Sequence, residues 1–369
     1  MKTRVVHLTT THARDEVRIF HKECTSIAKC GYDVHLIVAD GKEFDQANDV
    51  KRHGVGRTCG RFQRVFIQPW KIYLMARRLH ASIYHLHEPE LLFIAPLLKR
   101  MGAHVVYDSH EDVPRTVMGR DWVPSFLKRL LSFAFETFED HIISQIAAVV
   151  AATPHIAARF SKINSRTITV NNYPLLSEMF EPRKPCRCAG TFCYIGGMGR
   201  IRGLYEMVNA LEYVDARLIL AGWFESANTE TEVRKLPSWS KVDCRGIVSR
   251  NAAYHVMLQS CAGLLFFHPE PNHVNAQPNK MFEYMSAGIP VIASDFPLWR
   301  RIIDGTGCGL LADPLNPTAI ADAMRWLLEH PAEAEAMGVR GRVAVEQIYN
   351  WDIEAVKLLS LYKKLLGAL

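Results

Sequence analysis

At 369 residues the chain exceeds the size at which a single hydrophobic core stops growing, so two domains are expected. An apolar fraction of 49% beside 22% charged residues excludes a disordered, collagenous or fibrous chain. The net charge of +6 is unevenly placed: residues 1–170 hold 24 Lys/Arg against 17 Asp/Glu, and residues 171–369 hold 20 against 21.

The N-terminus, MKTRVVHLTTTHARD, lacks the apolar stretch of a secretory signal. Arg4–Leu8 then reads as a strand, Val17–Cys30 as a helix and Val34–Val38 as a strand. Between Lys51 and Arg78 stand eight basic residues and no acidic one. They form either a solvated face or a surface that attracts an anionic partner such as phospholipid headgroups or a lipid-phosphate acceptor. Nucleic acid is disfavoured, because no recognition fold or aromatic platform accompanies the charge. Ile83–Leu86 (strand), Pro89–Met101 (helix), His104–Tyr107, Ala147–Ala151 and Thr167–Val170 (strands) continue the alternation. Ile142–Thr153 is too short to span a bilayer and contains Ser144 and Gln145.

Asn171–Ala189, with Pro174, Pro182 and Pro185, breaks the pattern and reads as a linker. After it the alternation restarts at Phe192–Ile195, a helix from about Ile201, Arg217–Leu220, Lys241–Cys244, Gly263–Phe267, Pro290–Ala293 and Gly309–Leu311. Pro317–Leu369 is almost wholly helical. The expected fold is therefore α/β, with two doubly wound Rossmann-like domains over 1–172 and 173–350 and a C-terminal helix, 351–369, packing back on the first. Ligands of such sheets bind beyond the carboxyl ends of the strands, which would place a ligand in a cleft between facing halves. The nine cysteines show no C-x-x-C spacing and read as reduced thiols of a cytoplasmic protein.

Four stretches end a strand and open a helix. Tyr194-Ile-Gly-Gly-Met-Gly-Arg-Ile-Arg-Gly203 offers glycines for close backbone approach, free N–H groups and two arginines for phosphate; a glycine turn with surface arginines is the plainer reading. It does not match G-x-G-x-x-G, which disfavours a nicotinamide or flavin enzyme. In Gln277–Ser294, Lys280 and Glu283 share one helix face, as a phosphate and ribose pair or as a simple ion pair. Tyr107-Asp-Ser-His110-Glu-Asp112 places His110 at a strand end, where it could meet a sugar hydroxyl or phosphate; a metal at His110, Glu111 and Asp112 is the weaker alternative. His85-Leu-His87-Glu88-Pro-Glu90 lies at another strand end. His87 and Glu88 either line an acceptor or cap the next helix.

These residues resemble glycosyltransferase family 4, the large retaining GT-B group, over essentially the full length. The most specific match is Asn279-Lys-Met-Phe-Glu-Tyr-Met-Ser-Ala-Gly-Ile-Pro-Val-Ile-Ala-Ser-Asp295, similar to the C-terminal half of the family's E-x7-E signature. Thr11–Glu23, His87–Leu92 and Tyr107–Asp112 are similar to a bacterial subgroup associated with surface polysaccharide assembly. The resemblance implies that Glu283 holds the nucleotide ribose, Arg202-Gly203 the diphosphate, and that His110 contacts the donor sugar. It implies a donor site of Gly196, Gly197, Arg200, Arg202, Asn275, Asn279, Lys280 and Glu283, with His110, Arg202 and Lys280 nearest the chemistry. Thr11, His87 and Glu88 fall on the acceptor side. Departures are clear: Asn275 stands where the first glutamate of E-x7-E belongs, Gly196 or Gly197 where an arginine belongs, and Thr9-Thr10-Thr11 where a glycine pair belongs.

The implied reaction is front-face displacement with retention from a nucleotide diphosphate sugar, UDP before GDP, with no metal or other cofactor. Arg202, Lys280 and helix N-termini would stabilise the departing diphosphate. The acceptor is expected to be a lipid-linked sugar or a lipopolysaccharide intermediate. Trp122–Phe135, with Lys128 and Arg129 among Phe126, Leu130 and Phe133, reads as peripheral membrane contact or as core packing. A GT-B-type epimerase of UDP-sugars, or a catalytically idle partner of another transferase, are the alternatives.

Overall fold

The β-branched runs form two separate parallel sheets. The computed structural model describes residues 2–58, 60–118, 124–178 and 190–367. The connector read at Asn171–Ala189 falls mostly at 179–189, outside the described residues, as do Cys59, Cys186, Cys188 and the Trp122–Val123 start of the amphipathic stretch. The chain divides into two units, Met1–Asn172 with Trp351–Leu369, and Tyr173–Asn350.

In the first unit, β1 (Arg4–Thr9), β2 (Asp33–Val38), β3 (Asp45–Ala47), β4 (Val50–Gly54), β5 (Ile83–Leu86), β6 (His104–Ser109), β7 (Ala148–Ala151) and β8 (Thr167–Thr169) pair in the order β3-β4-β2-β1-β5-β6-β7-β8. Among the described residues only the β3–β4 pairing is antiparallel. Runs such as Val5-Val6 and Val149-Val150 are buried on both faces, as a helix-covered parallel sheet requires. The chain winds from β1 towards β2 and later crosses to β5. The order therefore reverses between β1 and β5, and their carboxyl ends define a crevice.

Two segments depart from the sequence pattern. Val17–Cys24 is a π-helix, followed by an α-helix only over Thr25–Lys29. The wider turn is stitched by Glu16, whose carboxylate accepts from the Ile19 N–H, and by the Thr25 hydroxyl donating to the Phe20 carbonyl at 2.8 Å. The basic stretch Lys51–Arg78 begins in β4 and continues as helices Arg61–Phe66 and Gln68–Ala76. It is not a uniformly solvated face: Arg52 is buried, pairing with Asp45 at 2.7 Å and with Asp15, and Arg64 pairs with Glu90 at 3.3 Å.

The C-terminal helix Trp351–Leu365 completes the first unit. Trp351 donates its indole N–H to Ser26 Oγ at 2.8 Å, Glu354 accepts from the Asn171 N–H at 2.9 Å, and Tyr362 reaches His85 at 2.6 Å. Among the described residues no helix is long and apolar enough to cross a membrane.

The second unit is a wholly parallel six-stranded sheet: β9 (Thr191–Ile195), β10 (Arg217–Ala221), β11 (Val242–Gly246), β12 (Ala262–Leu265), β13 (Val291–Ser294) and β14 (Gly309–Ala312), in the order β11-β10-β9-β12-β13-β14. One apolar layer, including Phe192, Leu204, Met207 and Ile320, covers one face. Another, including Met281, Tyr284, Trp299 and Ile303, covers the other. The order reverses between β9 and β12, so the crevice of this unit opens at Gly196 and beyond Leu265.

Candidate functional site

In the second unit the end of β9 is shaped by glycine. Gly196 adopts φ +128° and donates its N–H to the Ala221 carbonyl at 2.7 Å. A Cβ there would stand 2.5 Å from Lys280 Cε, so glycine is what lets the lysine lie against the turn. Gly203, at φ +67°, is the left-handed residue from which helix Leu204–Ala210 starts. Gly197 lies under the Trp223 ring, a residue the sequence did not single out and which is exposed.

Lys280 comes from the first turn of helix Asn279–Ser286. Its ammonium donates to Tyr194 Oη at 2.7 Å and sits 4.1 Å above the Tyr194 ring centre. The tyrosine hydroxyl in turn donates to the Gly197 carbonyl at 2.6 Å. Burial, and then the charge of Arg202, push Lys280 down to about 7, with Glu283 opposing. Tyr194 is pushed up to about 12 by burial, against the pull of Arg202. The structure thus brings together Gly196, Gly197, Lys280 and Arg202, and adds Tyr194. The signal for Tyr194 was its position two residues before the glycine turn, in a strand otherwise read as core.

The other residues of this group are placed as follows. Arg200 is committed to its own helix neighbourhood, over the Tyr205 ring at 4.1 Å and 3.3 Å from Glu232. Glu283 and Asn279 are exposed on the Lys280 helix. Asn275 ends the short helix Pro271–Val274 and is half-buried.

In the first unit the crevice is built around a glutamate. Glu88, just after β5, accepts from the Thr10 N–H at 2.9 Å, from Thr11 N–H at 3.3 Å and Oγ1 at 3.0 Å, from Thr9 Oγ1, and from His12 Nδ1 at 2.7 Å. This buried carboxylate ties down the Thr9–His12 turn, which has no glycine. It is held down to about 2 despite burial, chiefly by His12 and Thr9, and in return His12 is raised although burial lowers it. Glu88 therefore caps the β1 loop, not the helix that follows it. Thr11 is exposed at the tip of that turn.

His87 is buried, whereas His110, just beyond β6, is partly open. His110 Nε2 stands 3.3 Å from Asp108 Oδ2 and 3.3 Å from His87 Nδ1. Asp108 is fully buried and is gripped by Arg18 from the π-helix, Nη2 to Oδ1 at 2.9 Å and Nε to Oδ2 at 3.2 Å. Although burial opposes it, Arg18 and His110 hold Asp108 well below the usual carboxylate range. Burial lowers His7, His85 and His87, and raises Glu23 with help from Asp108. Glu23, His85, His87 and Asp108 each offer a ligand atom within 4.8 Å of the others. The positive charge among these carboxylates is supplied by Arg18, 3.1 Å from Glu23 and 2.9 Å from Asp108. The alternative metal set of His110, Glu111 and Asp112 is not assembled: Asp112 pairs with Arg159 at 3.4 Å and Glu111 is exposed.

Two doubly wound units, one with a glycine turn against a half-buried lysine beside an exposed arginine, define a nucleotide-sugar glycosyltransferase of the GT-B fold. The glycosyl transferases group 1 domain matches residues 191–343 and the glycosyl transferase 4-like domain matches residues 17–171. Between them they span more than four-fifths of the chain, and the protein belongs to glycosyltransferase family 4. The D-rhamnosyltransferase WbpZ of Pseudomonas aeruginosa is 22% identical over 94% of this chain and 92% of its own. The phosphatidyl-myo-inositol mannosyltransferase of Mycobacterium leprae is 32% identical over 22% of each chain. Among solved structures, a sucrose-phosphate synthase from Thermosynechococcus elongatus superposes with a TM-score of 0.79 at 16% identity, covering 100% of both chains. HepE from Anabaena, in complex with UDP and glucose, gives 0.74 at 11% identity over 98% of this chain and 100% of its own.

Proposed function

We propose that the protein transfers a hexose or N-acetylhexosamine, with retention and without a bound metal, from a nucleotide diphosphate sugar to a lipid-linked or polysaccharide acceptor of cell-surface glycan assembly. The observation that carries this is the Lys280 ammonium, laid against Gly196 and held at reduced proton affinity by burial and Arg202. A diphosphate entering beside it supplies the negative charge this pair lacks, and the pair stabilises that charge as it grows on the leaving group. UDP is the first choice of nucleotide, supported by the UDP bound to the structural neighbour HepE, and GDP the second. Transfer of a hexose-type sugar is supported by the full-length similarity to WbpZ, named a D-rhamnosyltransferase.

Membrane contact is part of the reading. Helix Ser125–Ile143 exposes Phe126 at 81% and Phe133 at 69%, with Leu130 and Arg129 also exposed, so these side chains are not core. Such a face suits an anionic headgroup layer.

The test is a thermal-shift titration with UDP, GDP, ADP and CMP on the wild type, Glu283→Ala and Arg202→Ala. One diphosphate should raise Tm selectively, and both variants should lose the shift. Absence of any shift would remove the donor site and leave the idle-partner reading. Release of that diphosphate from its UDP- or GDP-sugar then separates enzyme from idle partner, and co-sedimentation with phosphatidylglycerol vesicles tests the membrane face.

A further inference from the structure

Asp108 lies among the buried polar side chains of the first unit. Its carboxylate is fully buried, yet Arg18 keeps it ionised with two contacts at 2.9 and 3.2 Å. Three imidazoles also face it: His110 Nε2 at 3.3 Å, His87 Nδ1 at 3.5 Å and His85 Nε2 at 3.9 Å. The proton positions follow from this charge. An ionised carboxylate accepts only, so His87 presents Nδ1–H to it. His87 Nε2 then accepts, and its neighbour His7 Nδ1, 2.9 Å away, donates. Tyr362 Oη lies 2.6 Å from His85 Nδ1 and 3.4 Å from His7 Nε2, linking those two rings.

His110 is the partly exposed member of this cluster. With His87 Nδ1 already a donor, the two nitrogens 3.3 Å apart cannot bond to each other, and among the described residues the Nε2 of His110 has one acceptor, Asp108. We propose that Asp108, clamped by Arg18, is the positioning residue that fixes His110 as its Nε2–H tautomer and so presents the Nδ1 lone pair as an acceptor for a sugar hydroxyl. Among the described residues Nδ1 has no hydrogen-bond partner, so that lone pair is available. The consequence for glycosyl transfer rests on the placement of His110 beside the donor sugar. The tautomer itself does not.

The experiment uses the full chain with nitrogen-15-labelled histidine, the His110 signals being identified by their loss in His110→Gln. A single Nε2–H form is expected in the wild type, giving way to a mixture in Asp108→Asn. A His110 protonated at Nδ1 in the wild type overturns the positioning, and this readout stands whether or not Asp108→Asn folds. On the nucleotide sugar selected by the thermal-shift titration, Asp108→Asn should lower kcat about tenfold, the value of one hydrogen bond, with donor KM nearly unchanged. The same substitution in a His110→Gln background should cost nothing further, because Asp108 acts through His110. An undiminished additional loss there would make Asp108 a purely structural group and overturn the proposal. Full transfer activity in His110→Gln would instead overturn the placement of His110, a failure separate from the wrong tautomer.

Discussion

Lys280 keeps its ammonium where a cation is penalised, and that penalty has a thermodynamic signature. Burial and Arg202 bring its proton affinity down to about 7, so at pH 8 the ligand-free lysine is mostly neutral. A diphosphate beside it restores the ordinary preference for the charged form. Binding at pH 8 must therefore take up about one proton, since the second phosphate ionisation, near about 6, is already complete. Affinity should fall as pH rises above about 7. Isothermal titration in two buffers of different ionisation enthalpy measures the uptake, and Lys280→Met should abolish it. Equal apparent enthalpies in both buffers for the wild type would show that Lys280 does not meet the phosphate. At this scale the sequence was partly legible. Spacing put Lys280 and Glu283 on one helix face, but the partner of Lys280 proved to be Tyr194, on a strand 86 residues earlier. Periodicity within a helix carries no information about which strand it will cover.

Elements show the same division. The buried parallel strands were legible because runs such as Val34–Val38 are apolar except for His35. β4, reading Val-Lys-Arg-His-Gly, was not, because its pairing with β2 and the acids that neutralise Arg52 lie elsewhere in the chain. The π-helix at Val17–Cys24 was also missed, since the carboxylate that its Arg18 reaches, Asp108, lies 90 residues further on. The β1 loop is where the element depends on one distant side chain. Glu88→Ala removes the acceptor for the Thr10 and Thr11 amides and for His12. Leaving such donors unpaired costs on the order of 2–4 kcal/mol, or roughly 5–10 °C in the Tm of the first unit. The carboxylate is held at about 2, so its contribution is full above the ordinary glutamate range and is lost as pH falls towards 2. The deficit of Glu88→Ala should therefore shrink between pH 5 and pH 2.5 in calorimetry. A deficit constant with pH would mean that shape, not charge, holds the loop.

At the scale of the whole molecule, the two units differ in how the chain builds them. The second is continuous, Tyr173–Asn350, whereas the first also needs Trp351–Leu369, which follows the second in the chain. That helix fully buries Trp351 and Tyr362, places Leu358, Leu361 and Leu365 in the interior, and supplies the hydroxyl that meets His85 Nδ1. Losing one such aromatic typically costs about 3–5 kcal/mol, so losing the helix exceeds the few kcal/mol that hold a domain together. A chain ending at Asn350 should therefore keep a folded second unit and lose the first. Calorimetry should show one cooperative transition in place of two, and hydrogen exchange should be fast in β1 and β5 but slow in β9 and β12. The fragment Tyr173–Asn350 alone should melt cooperatively and still be stabilised by the diphosphate that stabilises the full chain, because Gly196, Tyr194, Arg202 and Lys280 all belong to it. A fragment of residues 1–172 that melted as sharply as the full chain would show that the C-terminal helix only decorates the first unit. In that event Tyr362 would not be what orients the buried histidines behind His110.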